Sequence, residues 1–136
     1  MELNKSVIVD TDFISYYLKG DMMTKEQVEN MLAEGYLFTT TAITSAELLF
    51  GAYRKAWKEQ KIKKLKTFLE KIGVIAFNYN HSQIYGKLRS SMMKNGKEIG
   101  FADTAIASIC IGEKLPLFTY NVKHFQGIGQ LELFDR

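Results

Sequence analysis

Residues 7–18 read VIVDTDFISYYL: an apolar run, two acids separated by a threonine, then apolar residues at helical spacing. A short apolar run bounded by a polar break is the pattern of a strand buried on both faces. Val7–Asp10 is therefore read as a strand, and about Thr11–Lys19 as the helix that follows it. Strands of that kind belong to parallel sheets covered by helices. An acid at the mouth of such a strand has three readings. It is a phosphoryl-accepting nucleophile, a metal ligand, or the N-cap of the next helix, a place Asp favours.

Outward from this stretch, strands and helices alternate. Thr24-Lys25-Glu26-Gln27 fits a capping box and opens a helix through Val28, Met31 and Leu32, which Gly35 ends. Tyr36–Thr40 is a second strand. A helix carrying Ala46, Leu48, Leu49 and Tyr53 follows, then a basic one with Ile62, Leu65, Phe68, Leu69 and Ile72 at helical spacing. Gly73 breaks it, and Val74–Phe77 is a third strand. A longer helix over about Ser82–Lys94 stops at Asn95-Gly96. The helix Phe101–Glu113 is apolar nearly all round, so it is expected to lie buried against the sheet. Leu115–Thr119 is the fourth strand, Val122–Phe125 a turn of helix, and Gln130–Phe134 a last edge strand. This alternation predicts an α/β fold with a mostly parallel sheet covered on both faces. In such sheets ligands bind beyond the carboxyl ends of the strands, where the chain order reverses.

The 136 residues fit one domain spanning 1–136, and 46% apolar with 24% charged content is an ordinary globular profile. No apolar run approaches the ~20 residues a membrane span needs. The opening MELNKSVIVD lacks the apolar stretch of a secretion signal. The single cysteine, Cys110, makes no internal disulfide and fits a reducing compartment, so cytoplasmic residence is expected. Net charge is only +3, but eight of the basic residues fall between Arg54 and Lys71, against two acids, Glu59 and Glu70. Such a segment attracts phosphates in a salt-dependent way, or simply forms a solvated helix face.

Four places put polar groups at the expected rim. Asp10 and Asp12 flank Thr11. Glu47 lies in TAITSAELLFG, where Thr44-Ser45-Ala46-Glu47 is itself a capping-box pattern, and the apolar residues after it predict a buried first turn. Asp103 opens the most apolar helix, in GFADTAIASICIGEK, where a capping acid and an active-site acid are compatible roles. Asn121 follows LPLFTY, as a turn residue or as part of the site. His81 and His124 have no partner at metal-ligand spacing, and Cys110 reads as packing. Acids gathered above one sheet edge repel and raise one another's pKa. A hard divalent cation such as Mg²⁺ or Mn²⁺ relieves that crowding.

The stretches VIVDTDFI, TSAELLFGA and IGFADTAIASICIGEKLPLFTYNVKHFQGIGQLEL resemble, in order and spacing, the motifs of PIN-domain ribonucleases. The likeness is greatest to VapC-type toxins of toxin–antitoxin pairs. The resemblance implies a three-layer α/β/α fold around a five-stranded parallel sheet. It implies a divalent metal at the sheet's carboxyl edge, held by acids corresponding to Asp10, Glu47 and Asp103. Many members carry a fourth acid where this chain has Asn121, which puts a second metal in doubt and suggests that Asn121 orients water or a carboxylate. Asp12, at a place where Asn or Ser is commoner, partly restores the charge. Thr11 and Thr119 are candidates to hydrogen-bond the carboxylates. Arg54, Lys55 and Lys58 would hold an RNA backbone without reading its sequence.

The implied activity is metal-dependent endonucleolytic hydrolysis of RNA, leaving a 5′-phosphate and a 3′-hydroxyl. The implied partners are RNA, a cognate antitoxin and a second copy in a homodimer. The aromatic and Met-rich first helices (Phe13, Tyr16, Tyr17, Met22, Met23, Met31) offer a surface for a partner, or fill the core. An RNA-processing nuclease, or an inactive RNA-binding module without an antitoxin, would carry the same motifs. The D-x-D opening is shared with haloacid-dehalogenase-type phosphatases, which need a later acidic pair that this chain lacks. A response-regulator receiver needs an Asp ending the third strand, where this chain has Phe77-Asn78.

Overall fold

The computed structural model describes residues 5–136. The expectation about a leader falls partly on residues 1–4, outside the described residues. The elements run β1 (Lys5–Val9), α1 (Thr11–Leu18), α2 (Met22–Ala33), β2 (Tyr36–Thr41), α3 (Ala42–Arg54) and α4 (Glu59–Ile72). They continue with β3 (Val74–Ile75), α5 (Tyr79–Lys94), α6 (Gly100–Glu113), β4 (Leu117–Phe118) and α7 (Val122–Phe125).

All strand pairs are parallel, in the order β3-β2-β1-β4. Successive residues of a strand point to opposite faces, and β1 shows what each face meets. Val7 and Val9 join Phe13, Ile14, Val28 and Met31 in a core under α1 and α2. Ile8 turns the other way, to Ile106, Ile109 and Cys110 of α6. The sheet thus lies between two helical layers, the α/β/α arrangement expected. A satellite cluster of Ala52, Ile62, Leu65 and Leu69 seats α4 on α3. As its composition predicts, α6 is buried continuously from Thr104 to Cys110. Among the described residues no helix is long and apolar enough to cross a membrane.

Among the described residues the sheet has four strands rather than five. The segment expected as the last strand contributes one parallel bridge, Leu133 to Leu117. The Leu117 N–H donates to Glu132 O at 2.9 Å and the Phe134 N–H to Leu117 O at 2.8 Å. The alternation there reflects side-chain packing: Leu131 and Leu133 face the α6 core, and Phe134 packs on Phe118 and Tyr36. β3 is also shorter than Val74–Phe77, an edge strand pairing with β2 through only two residues.

Several helix starts differ from expectation because a better cap lies upstream. Asp21, not Thr24, caps α2. Thr24 is buried, its hydroxyl 2.7 Å from both Asp21 and the Tyr120 hydroxyl. Thr41 caps α3 by accepting the Thr44 N–H. In α5 the box is Asn78 with His81.

His81 is fully buried. Its Nδ1 accepts the Asn78 N–H at 3.1 Å, so the proton is on Nε2, which donates to Glu113 at 2.8 Å. The ring lies against Gly112 of α6, where a Cβ would come within 2.6 Å of His81 Cδ2. A ring held at both nitrogens does not swing aside cheaply. Gly112→Ala is expected to cost about 1–3 kcal/mol by overpacking, read as a lowered urea midpoint at unchanged slope.

Candidate active site

β1 is the central strand at which the chain order reverses, since β2 and β3 add on one side and β4 on the other. Val9 pairs with Phe118, so the next residues, Asp10 and Thr119, emerge together from the crevice between β1 and β4. The Thr119 hydroxyl donates to Asp10 Oδ2 at 2.5 Å, and the Phe13 N–H donates to Oδ1 at 3.2 Å. Asp10 therefore caps α1 and stands at the switch point at once, so two of its three readings are compatible. Both oxygens are engaged and the residue is 4% exposed, which does not suit an attacking nucleophile.

Burial pushes the Asp10 carboxyl from 3.8 up to about 6. Hydrogen bonds from Thr119 and Phe13 oppose the rise, and the charges of Asp12 and Asp103 add to it. Asp12 and Asp103 are thus close enough to act on Asp10. Asp103 lies inside the first turn of α6 rather than at its cap, which is Ile99. Burial, with the Asp10 charge adding to it, pushes the Cys110 thiol up as well, in keeping with a packing role.

Glu47 corrects the sequence reading. It is exposed, as are Ala46 and Phe50, so its turn of α3 faces solvent. It reaches the rim through Thr11, whose hydroxyl donates to Glu47 Oε1 at 2.5 Å and lies 3.3 Å from the Thr44 hydroxyl. Asn121 donates from its amide to Asp12 Oδ2 at 2.6 Å, and its N–H donates to Thr119 Oγ1 at 2.9 Å. It orients a carboxylate. His124, unassigned by sequence reasoning, has Nδ1 3.1 Å from Asp103 Oδ2. Only its place in VKHF, one turn past Asn121, could have pointed to it.

The acids occupy one rim, yet among the described residues no three His, Cys, Asp or Glu side chains converge into a formed ion cage. Their donors are all oxygens, and the crowding around Asp10 is what a cation relieves, so by chemistry the set fits a hard divalent ion. Beside it, a cleft of about 430 Å³ is lined by Asp12, Ser15, Tyr16, Lys19, Tyr120 and Asn121. Arg54, Lys55 and Lys58 are exposed at the far end of α3 and its turn into α4.

The family described as the PIN domain matches residues 7–129. The chain belongs to the PIN-domain family. Similar PIN proteins include ribonuclease VapC2 of Rickettsia felis, 32% identical over 126 residues, 93% of this chain and 94% of that one. Ribonuclease VapC1 of Haemophilus influenzae is 33% identical over 129 residues, 94% of this chain and 96% of that one. A crystal structure of VapBC2 from Rickettsia felis, bound to a DNA fragment from the promoter, superposes with a TM-score of 0.85. The two are 31% identical, covering 96% of this PIN chain and 98% of that one. Within the family this chain is of the VapC ribonuclease type.

Proposed function

We propose that this PIN protein is a metal-dependent endoribonuclease and the toxin of a toxin–antitoxin pair. The observation that carries the catalytic reading is the buried Asp10 carboxyl, bonded to Thr119 across the β1–β4 crevice with the charges of Asp12 and Asp103 pressing on it. Asp10 and Asp103 would hold Mg²⁺ or Mn²⁺, with Glu47 as a further ligand or as the group that positions the attacking water. When bound, the ion supplies an acidified water and neutralises charge on the phosphoryl oxygens.

The chain's own groups do the remaining work. Thr119 and Thr11 fix the carboxylates of Asp10 and Glu47. Asn121 holds Asp12, and His124 braces Asp103. Lys19, in the cleft beside Asp12, and the exposed Arg54, Lys55 and Lys58 grip the sugar-phosphate backbone without reading bases. Structured RNA is expected to be cut with Mg²⁺ and not with EDTA, leaving 5′-phosphate and 3′-hydroxyl ends. Asp103→Asn is expected to lose that cleavage; undiminished cutting by the variant overturns the assignment.

The antitoxin reading rests on the VapBC neighbour and on an apolar surface. Phe13 and Met31 are buried, but Met22 and Met23 are 83% and 82% exposed, and Tyr16 and Leu18 of α1 and Leu32 of α2 are exposed as well. Near them, Phe13, Ile14, Tyr17, Val28, Phe68 and Ile72 line an apolar hollow of about 120 Å³. Inserted apolar side chains of an antitoxin fit this surface, and a second copy of the chain is the other occupant it suits. Action on RNA and one buried, unpaired thiol both favour residence in the cytoplasm.

A further inference from the structure

From the α3–α4 corner we infer a subsite that stacks an unpaired base of the RNA, an inference that rests on the nuclease reading. Helix α3 ends in a Schellman turn: the Trp57 N–H donates to Ala52 O at 3.0 Å and the Ala56 N–H to Tyr53 O at 3.0 Å. The turn needs a left-handed residue, and Ala56 supplies it at φ 55°, although glycine is the usual occupant. This conformation fixes Trp57 beside Tyr53.

Tyr53, Trp57, Glu59, Ile62, Lys63 and Lys66 line a cleft of about 600 Å³ there. Tyr53 is 58% exposed, as is Phe50 one turn earlier at 68%. The Lys61 ammonium lies 3.9 Å from the Trp57 ring centroid, so that face of the indole is covered by an exposed lysine side chain. A base taking the face would free the ammonium for a neighbouring phosphate.

Aromatic faces interleaved with lysines are how proteins hold single-stranded nucleic acid, the rings stacking bases and the cations tracking the backbone. Charge complementarity selects the occupant: Lys63 and Lys66 line the cleft against one acid, Glu59, and Lys61 adds a third cation over the Trp57 ring. Its place suits the active site too. Glu47 and Arg54 belong to the same helix, about 10 Å apart along the axis at the usual rise, and Trp57 lies just beyond. A strand gripped at Trp57 passes Arg54 and Lys55 on its way to the acids.

Trp57 is the chain's single tryptophan, so its emission reports the subsite directly. The full-length protein is titrated in EDTA, without hydrolysis, with oligouridylate, a charge-matched polyphosphate and a polyglutamate peptide. Oligouridylate is expected to quench Trp57 saturably, with an affinity that falls as salt rises. With labelled oligouridylate, Tyr53→Ala, at a residue more than half exposed, and Trp57→Leu are each expected to weaken binding about tenfold. Trp57→Phe is expected to keep it. Lys63→Gln with Lys66→Gln is expected to weaken all anions and flatten the salt slope by about two.

Polyphosphate binding as tightly as oligouridylate overturns the stacking claim, as does unchanged affinity in Tyr53→Ala and Trp57→Leu. Quenching by polyglutamate that competes with oligouridylate assigns the cleft to an acidic protein segment instead. Lost quenching with Mg²⁺-dependent cleavage intact overturns the subsite alone. Intact quenching with no cleavage overturns the nuclease reading alone.

Discussion

Asp10→Asn is expected to abolish RNA cleavage and, at neutral pH, to raise the melting temperature. The first effect follows from removing a charged oxygen from the rim where the cation would be held. Metal stabilisation of the reacting phosphoryl group is worth several kcal/mol, so a rate loss of about 10³ or more is expected. The second follows from burial. Asp10 has a pKa of about 6 in the fold against 3.8 as its ordinary value. The folded state therefore binds the proton more tightly than the unfolded chain does. Stability falls as pH rises through the window from about 4 to 6 and stays at the lower level above it. At pH 7.5 that loss is up to about 3 kcal/mol, less what local relaxation recovers. An asparagine carries no charge to desolvate, still accepts the Phe13 N–H, and can donate to Thr119 Oγ1. A rise of roughly 3–10 °C is expected at pH 7.5, shrinking to little at pH 4.5. Thermal melts at both pH values check it. Mg²⁺ is expected to stabilise the wild type and not the variant, in proportion to ligand occupancy. Equal cleavage, or a lower melting temperature at pH 7.5, overturns this account of Asp10.

This opposition between function and stability also explains what the sequence made readable. Val7-Ile8-Val9 announces a strand buried on both faces because both neighbours of β1 are hydrogen-bonded and both faces are covered by helices. An acid ending such a strand violates the local rule for buried positions, and that violation is the signal. Asp103 is legible for the same reason, a charge in the first turn of a helix buried from Thr104 to Cys110. Glu47 is different. Its neighbours Leu48 and Leu49 pack on the α4 cluster, and apolar content alone could not reveal that the acid itself faces outward.

His124 escaped because its contact with Asp103 joins residues twenty-one apart through the packing of α6 and α7, which no local spacing encodes. The last strand was over-read because Leu131 and Leu133 alternate for core packing, while only one residue pair forms a bridge. The Tyr53–Trp57 cleft was half legible. The lysines stood out as a charge run, but their relation to an aromatic pair needed the left-handed turn at Ala56.

The largest loss of stability is expected from Phe13→Ala. Phe13 is 2% exposed, and its ring stacks on Phe38 and tilts against Phe118 and Tyr120, with centroids 6.3, 4.8 and 5.2 Å away. Truncating a buried phenylalanine costs about 3–5 kcal/mol, and the cost grows with the void left behind. Here the void adds to the apolar hollow of about 120 Å³ that Phe13 already lines, so the wall has no packed layer behind it to move inward. The upper part of that range is expected, a large share of a typical domain's 5–15 kcal/mol. Phe13→Leu, which keeps most of the volume, is expected to cost less than half as much. Catalysis should suffer beyond the folded fraction, because Phe13 holds two parts of the rim. Its N–H donates to Asp10, and its ring supports Tyr120, next in the chain to Thr119 and Asn121. Cleavage rates per folded molecule, with folded fraction from urea melts at the same temperature, separate the two effects. A midpoint shift under 1 kcal/mol in Phe13→Ala would mean that α2 closes onto the sheet and that the hollow is collapsible. A preformed receptor for an antitoxin's apolar side chains cannot be built on a wall of that kind.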